Sequence, residues 1–362
     1  MKRLLVAALL LTSPAARAHE IGTTQVRFTL HRDHTWSASI TTGPQSLVNK
    51  LEAETRQPRS SDLDADALRA KLDRLSQPLA RHVDVRFDGV ASPASISISV
   101  LEVPPDVTLP SFVVLLATGS IPPEAQTVTW RYGLAYSTYA LVFAADEEGS
   151  PLTLWIDGGD VSRPLPISGN FRPPTRTEII GQYLRLGFLH IVPHGLDHIL
   201  FVLGLFLLTT QLRPILVQVT AFTLAHSATL GLTMYGVISL SARVVEPLIA
   251  ASVAYVAIEN ILTSRLTPWR PAVVFAFGLL HGMGFADVLK ELRLPADEFI
   301  PALVSFNVGI ELGQLTVIAA AFFSVAAWHR NKSWYRTRIV IPGSAIIAVI
   351  GLLWTVQRMV EF

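Results

Sequence analysis

The 362-residue chain has no cysteine, which excludes a disulfide framework, a thiolate nucleophile and any metal site built on sulfur. A bound metal would have to be held by His, carboxylate, amide or water. Excess charge of either sign is also missing. The 29 Lys and Arg stand against 28 Asp and Glu, for a net charge of +1, so the electrostatic footprint of a nucleic-acid partner is absent. No GxxxxGK[ST] stretch occurs, which excludes a P-loop and leaves a gradient as the driving force for any transport. Apolar residues are plentiful. Half of the chain is hydrophobic, with a mean hydropathy of +0.43, and nearly all the long apolar runs lie beyond about residue 178.

Residues 1–18, MKRLLVAALLLTSPAARA, have a basic start, a short apolar core and an Ala16-Arg17-Ala18 ending, the pattern of a cleaved secretory signal peptide. Cleavage there would leave His19 at the N terminus, where a free amine beside an imidazole forms a chelating pair for a copper-type ion, or simply an ordinary terminal residue. Residues 19–162 read as a β-rich, sandwich-like extracytoplasmic domain. Its strand candidates are Gln25–Leu30, Trp36–Thr41, Val83–Phe87, Ala94–Val103, Ser111–Gly119, Val128–Tyr132, Ala140–Ala144 and Leu152–Asp157. One helical insertion, Asp62–Leu79, spaces Leu63, Leu68, Leu72, Leu75 and Leu79 at helix-like intervals. His31, His34 and His82 read as surface residues, and residues 163–182, rich in Pro and Arg at their start, as a linker.

Residues 183–362 divide into six apolar segments of the ~20 residues that a bilayer requires: Tyr183–Thr210, Ile215–Val237, Val244–Thr263, Pro271–Leu289, Ile300–Trp328 and Ile339–Met359. The expected architecture is an all-α six-helix transmembrane bundle with its C terminus on the same side as the β-rich domain. Seven Lys and Arg in the inward loops against four in the outward ones agree with the positive-inside rule.

The first segment is organised around HIVPHGLDHILFVLGLFLLTT. On one continuous helix His190, His194, Asp197 and His198 would line a stripe roughly 100° wide, with Pro193 kinking it. Ionisable groups at membrane depth cost ~2.5–3.5 kcal/mol each on insertion scales, so they point to function unless they sit in the headgroup layer. In the second segment Thr223, His226 and Ser227 share a face, and His226 is the informative member. The third carries Ser252, Tyr255 and Glu259 on one face, with Glu259 either a site residue or the partner of Arg265; Glu246 at its outer end either serves the site or complements the helix dipole. In the fourth, His281 stands among Gly278, Gly282 and Gly284, small residues that permit a close helix crossing, and Asp287 reads as a rim carboxylate. The fifth places Asn307, Glu311 and Gln314 on one face, as oxygen ligands or a proton relay. With no Lys or Arg in these inner stripes, five imidazoles and three carboxylates suit a divalent first-row metal, either a passing ion or a fixed zinc.

His190 with GLDH (Gly195–His198), FTLAHSATL, the His281-Gly282 pair and FNVGIELGQ together resemble the HupE/UreJ family of membrane proteins, over about residues 180–360, in its branch with a long extracytoplasmic N-terminal domain. That resemblance implies a nickel permease of the bacterial inner membrane, serving a metalloprotein maturation system, with Gly195, Asp197 and His198 in the first-helix signature. His190 stands eight residues before His198, one more than in the family's pattern, and His194 is added.

The resulting expectation is a permease for a divalent transition-metal ion, nickel or cobalt, partnered by the lipid bilayer and not by nucleic acid. His190, His194, Asp197, His198, His226 and His281 would bind the ion. Glu259, Asn307, Glu311 and Gln314 would form a second site or proton relay, supported by Gly195, Ser227 and Gly282. The rival is an intramembrane zinc-dependent hydrolase with Ser227 beside His226, and a third reading is a metal sensor or assembly factor.

Overall fold

A computed structural model of the chain describes residues 24–58, 60, 64–100, 112–135, 138–146, 151–169, 174–238, 240–284 and 296–360. The expected signal peptide, His19 and Asp287 lie outside the described residues. The chain divides into two compact units, Glu20–Pro173 and one built on Pro174–Phe362.

The first unit is β-rich because its strands alternate. Along β2 (Thr35–Thr42) every second side chain is buried, Trp36, Ala38 and Ile40 among them, so one face of the pleat enters a core. β2 pairs antiparallel with β1 (Gln25–Leu30). Two short strands, β3 (Val83–Phe87) and β4 (Val90–Ser92), form a hairpin. β5 (Ser95–Val100), β6 (Val113–Ser120), β7 (Thr127–Tyr132), β8 (Tyr139–Ala144), β9 (Leu152–Ile156) and β10 (Leu165–Pro166) follow. The six-stranded sheet runs β5-β6-β2-β1-β8-β9 and the four-stranded sheet β10-β7-β3-β4. β1 and β8 are parallel, and β8 is buried at all six positions. The two sheets share one core: the Phe28 ring stacks on Trp36 and Phe143 and meets Trp130 of the other sheet edge-on, 5.6 Å between centroids.

Three local differences from the sequence reading have physical causes. The stretch 163–182 is not wholly a linker, since Leu165 pairs with Val128 and a helix begins at Arg176. Asp62–Leu79 yields two helices, α2 (Ala65–Arg74) and α3 (Ser76–Ala80), which meet at Leu75, with Asp64 capping α2 by accepting the Ala67 N–H at 2.7 Å. A further helix, α1 (Pro44–Thr55), precedes them. It starts on a proline and buries Leu47, Val48 and Leu51, a pattern too short to stand out by period.

The carboxylates of this unit make it acid-sensitive. Burial pushes the Glu52 carboxyl up, yet hydrogen bonds from Lys71 and from the Ser60 hydroxyl and amide outweigh it and hold Glu52 below its ordinary value. The Gln126 amide, then the Thr127 hydroxyl and amide, lower Asp88 likewise. A carboxyl depressed by folding stabilises fully above its unfolded pKa, about 4, and that contribution is lost as pH falls through the folded value. The full-length protein is therefore expected to lose the fluorescence signature of buried Trp36 and Trp130 at a lower temperature at pH 3 than at pH 7. Asp88→Asn should narrow that difference, and an equal difference in the variant would remove Asp88 from the explanation.

The second unit is helical. α4 (Arg176–Ile191) opens on a capping box between Thr175 and Glu178. It is followed by α5 (Leu196–Leu208), α6 (Leu212–Met234), α7 (Ala242–Leu262), α8 (Arg270–Gly284), α9 (Ala296–Ala321) and α10 (Ile341–Val360). A π-helical turn, Phe322–Ala326, extends α9, and another, Arg336–Val340, leads into α10. Among the described residues four helices are long and apolar enough to cross a membrane, or up to five if α4 and α5, bent by 69° at their break, are one span; α8 is described only to Gly284. Outward faces carry Leu224, Leu262, Leu353 and Val356, all exposed, while His198, Gln218, His226, Asn260 and Arg270 are buried. A unit that is apolar outside and polar inside matches a hydrocarbon solvent rather than water.

Candidate metal centre

The continuous stripe expected on the first segment does not form, because α4 ends at Ile191 and α5 starts at Leu196. On a straight helix eight residues separate side chains by about 12 Å of rise. The break instead folds His198 back onto His190, with ring centroids 4.8 Å apart. His194 lies in the break itself, half-buried.

Two further helices complete the cluster. His226 of α6 lies 6.2 Å from both His190 and His198, and His281 of α8 lies 5.0 Å from His198, ring centre to ring centre. All four are at most 2% exposed. His190, His198 and His226 each offer one ligand atom within 4.8 Å of the others, a spacing from which small ring rotations reach a shared ion at about 2.0–2.1 Å. Phe306, Phe222 and Phe201 border the rings, Phe222 at 4.9 Å from His281.

Hydrogen bonds assign two of the tautomers. The Asn307 amide donates to the Leu303 carbonyl at 2.8 Å, which leaves its Oδ1 to face His226 Nδ1 at 3.3 Å. That nitrogen must then carry the proton, so Nε2 carries the lone pair. The same holds for His281, whose Nδ1 donates to the Phe277 carbonyl at 2.8 Å. An imidazole anchored by Nδ1–H to a carbonyl is the arrangement of a metal-ligating histidine.

Helix packing sets the distance between α6 and α8. A Cβ added at Gly282 would collide with the Thr229 hydroxyl and the His226 carbonyl, and one at Gly278 would lie 2.5 Å from the Phe222 carbonyl. Gly282→Ala is therefore expected to push α6 and α8 apart, costing about 1–3 kcal/mol of overpacking. A thermal melt in detergent would show the loss, and divalent-metal affinity should fall with it. A variant as stable as the wild type would refute this account of the crossing.

The carboxylates are arranged differently from the sequence reading. The inner stripes carry no Lys or Arg of their own, but two arginines read as loop residues turn inward: Arg270 and Arg358 are only 1% and 8% exposed. Asp197, fully buried, pairs through Oδ2 with Arg358 at 2.9 Å, and the same guanidinium reaches Glu246 Oε2 at 3.3 Å. Glu259 pairs with Arg270 at 2.9 Å rather than with Arg265. Arg270 also donates to Gln218 at 3.0 Å and Asn260 at 3.1 Å. Glu311 accepts from the Thr220 hydroxyl at 2.8 Å, and Gln314 from Thr223 at 3.1 Å, so the α6 and α9 faces meet through a polar seam that starts at His226 and Asn307. The Ser227 hydroxyl donates to the Thr223 carbonyl at 2.7 Å, the ordinary bond of a serine in a helix. Gly195 precedes α5, where a Cβ would collide with the His190 carbonyl. The two arginines are the residues that sequence reasoning missed; Arg358 stood in view as a charge at the end of the last apolar segment.

No curated protein and no solved structure matches the chain. The family model described as HupE / UreJ protein matches residues 170–358, from before α4 into the last turn of α10. That is more than half of the 362 residues, and it spans every histidine of the cluster: the chain belongs to the HupE/UreJ family.

Proposed function

We propose that the protein is a membrane permease for a divalent transition-metal ion, nickel or cobalt, which the imidazoles of His190, His198 and His226 hold in passage. The observation that carries this reading is the convergence of those three rings from three helices at a buried point inside an apolar unit. Nitrogen-rich donor sets without thiolate favour late first-row divalent ions over magnesium or calcium. His281, with its lone pair on Nε2 beside His198, is the fourth ligand, and His194 at the helix break stands at the approach. Membership of the family and the apolar helices support a carrier. The setting proposed is the bacterial inner membrane, with six spans and the β-rich unit outside. Asn307, Gln314 and Glu311 continue the polar seam away from the imidazoles and would receive the ion next.

Purified full-length protein in sealed vesicles tests this. Radiolabelled nickel or cobalt is expected to accumulate saturably above protein-free vesicles, with magnesium and calcium failing to compete. No accumulation of any metal, together with one zinc ion per chain that does not exchange, would overturn the permease in favour of a fixed site.

A further inference from the structure

Beside the imidazole cluster, two carboxylates from different helices converge on a single cation from a third. Asp197 of α5 and Glu246 of α7 lie 2.9 and 3.3 Å from the two terminal nitrogens of Arg358 on α10. The guanidinium also donates to the Glu246 backbone carbonyl at 3.1 Å. Two negative charges facing one positive charge leave the trio with a net charge of −1, and its oxygens are hard donors of the kind a partly hydrated divalent ion accepts first. Asp197 immediately precedes His198, so an ion held by this pair would be one residue from the imidazoles.

We propose that Arg358 is a built-in competitor of the transported ion: its guanidinium occupies the seat between Asp197 and Glu246 that an incoming divalent cation takes before it reaches the histidines. This rests on the reading of the imidazole cluster as the ion's binding site. A divalent ion outcompetes a single delocalised charge for two carboxylates because its attraction to each is doubled at comparable distance. Arg358 is placed to yield. It lies in the last turn of the described part of α10, where a long side chain can swing its head outward while its stem stays packed. The device would offset one of the two negative charges while the site is empty, and select against monovalent ions, which gain too little to displace a tethered cation.

Cobalt(II) titration of the full-length protein in detergent, read by its visible absorption, tests the proposal. Arg358→Gln is expected to bind cobalt about tenfold more tightly than the wild type, because the competing charge is gone. Arg358→Lys, which restores a charge, should bring the affinity back toward the wild-type value. Equal or weaker binding by Arg358→Gln would overturn the proposal, since a merely structural cation leaves its carboxylates misplaced when removed. If Arg358→Gln fails to accumulate, the wild type decides: cobalt loading should speed phenylglyoxal modification at Arg358 several-fold, as read by mass spectrometry of its peptide, and an unchanged or slower rate would overturn it. Absence of cobalt binding by the wild type would instead bring down the metal-site reading beneath it.

Discussion

His198→Ala is expected to lower nickel and cobalt affinity by at least about 100-fold and to reduce uptake to the level of protein-free vesicles. Loss of a group that merely orients a ligand already costs ~10–100-fold in metal affinity, and His198 is a proposed ligand itself. It is also the ring through which the cluster is connected, within 4.8 Å of His190, 5.0 Å of His281 and 6.2 Å of His226. Alanine leaves a gap among Phe222, His190 and His281 and keeps the Asp197–Arg358 pair, so the protein should still insert and migrate as the wild type on size exclusion. Asp197→Asn separates charge from coordination. It keeps the shape and leaves Arg358 to Glu246 alone, so it should weaken binding less than His198→Ala. Wild-type affinity in His198→Ala would remove the imidazole cluster as the site.

The largest loss of stability is expected at Arg270. This side chain is 1% exposed and makes three side-chain bonds at once, to Gln218 of α6 and to Glu259 and Asn260 of α7. Asn260 carries the network on to the Gly204 carbonyl of α5 at 2.7 Å and the Ser344 hydroxyl of α10 at 3.3 Å. Five helices are thus tied at one guanidinium. Arg270→Met fills much of the volume but leaves Glu259, 12% exposed, without its cation; breaking a fully buried pair costs about 3–5 kcal/mol, and this pair should approach the lower end of that range. A second substitution, Glu259→Gln, removes that charge and should recover a substantial part of the loss. The pair is measured by thermal denaturation in detergent, with metal affinity as a separate readout. Additive losses in the double variant would mean that the two side chains do not act as a unit. Arg270→Lys is expected to recover little, because an ammonium cannot span three partners held by a planar fork.

Much of the fold was legible along the chain. The alternation in Trp36–Thr41 and Val83–Phe87 has period two and a buried face, and those strands form where the pattern put them. Several apolar runs of the second half became helices close to their expected limits, as with Ile215–Val237 against α6 (Leu212–Met234), whereas Tyr183–Thr210 broke into two. Shorter signals were weaker. β4 spans three residues and β10 two, fewer than a period needs to declare itself.

The site was legible as an inventory but not as a geometry. His190, His198, His226 and His281 stood out because imidazoles in apolar stretches are costly, whereas the placement of acids depended on arginines that sequence reading assigned to loops. Arg270 and Arg358 sit at helix ends, where a long side chain reaches either water or the interior with equal ease on paper.

Composition and periodicity alone established a β-rich unit, apolar helices and a cysteine-free set of nitrogen and oxygen donors, because those properties are local and repeat every two or every 3.6 residues. Tertiary structure decided which donors meet. A break at Val192–Gly195 turned two residues of one segment face to face, glycines let α6 and α8 approach, and arginines claimed Asp197 and Glu259. Each of those outcomes depends on groups far apart in the chain competing for the same space and charge, which no window of neighbouring residues contains.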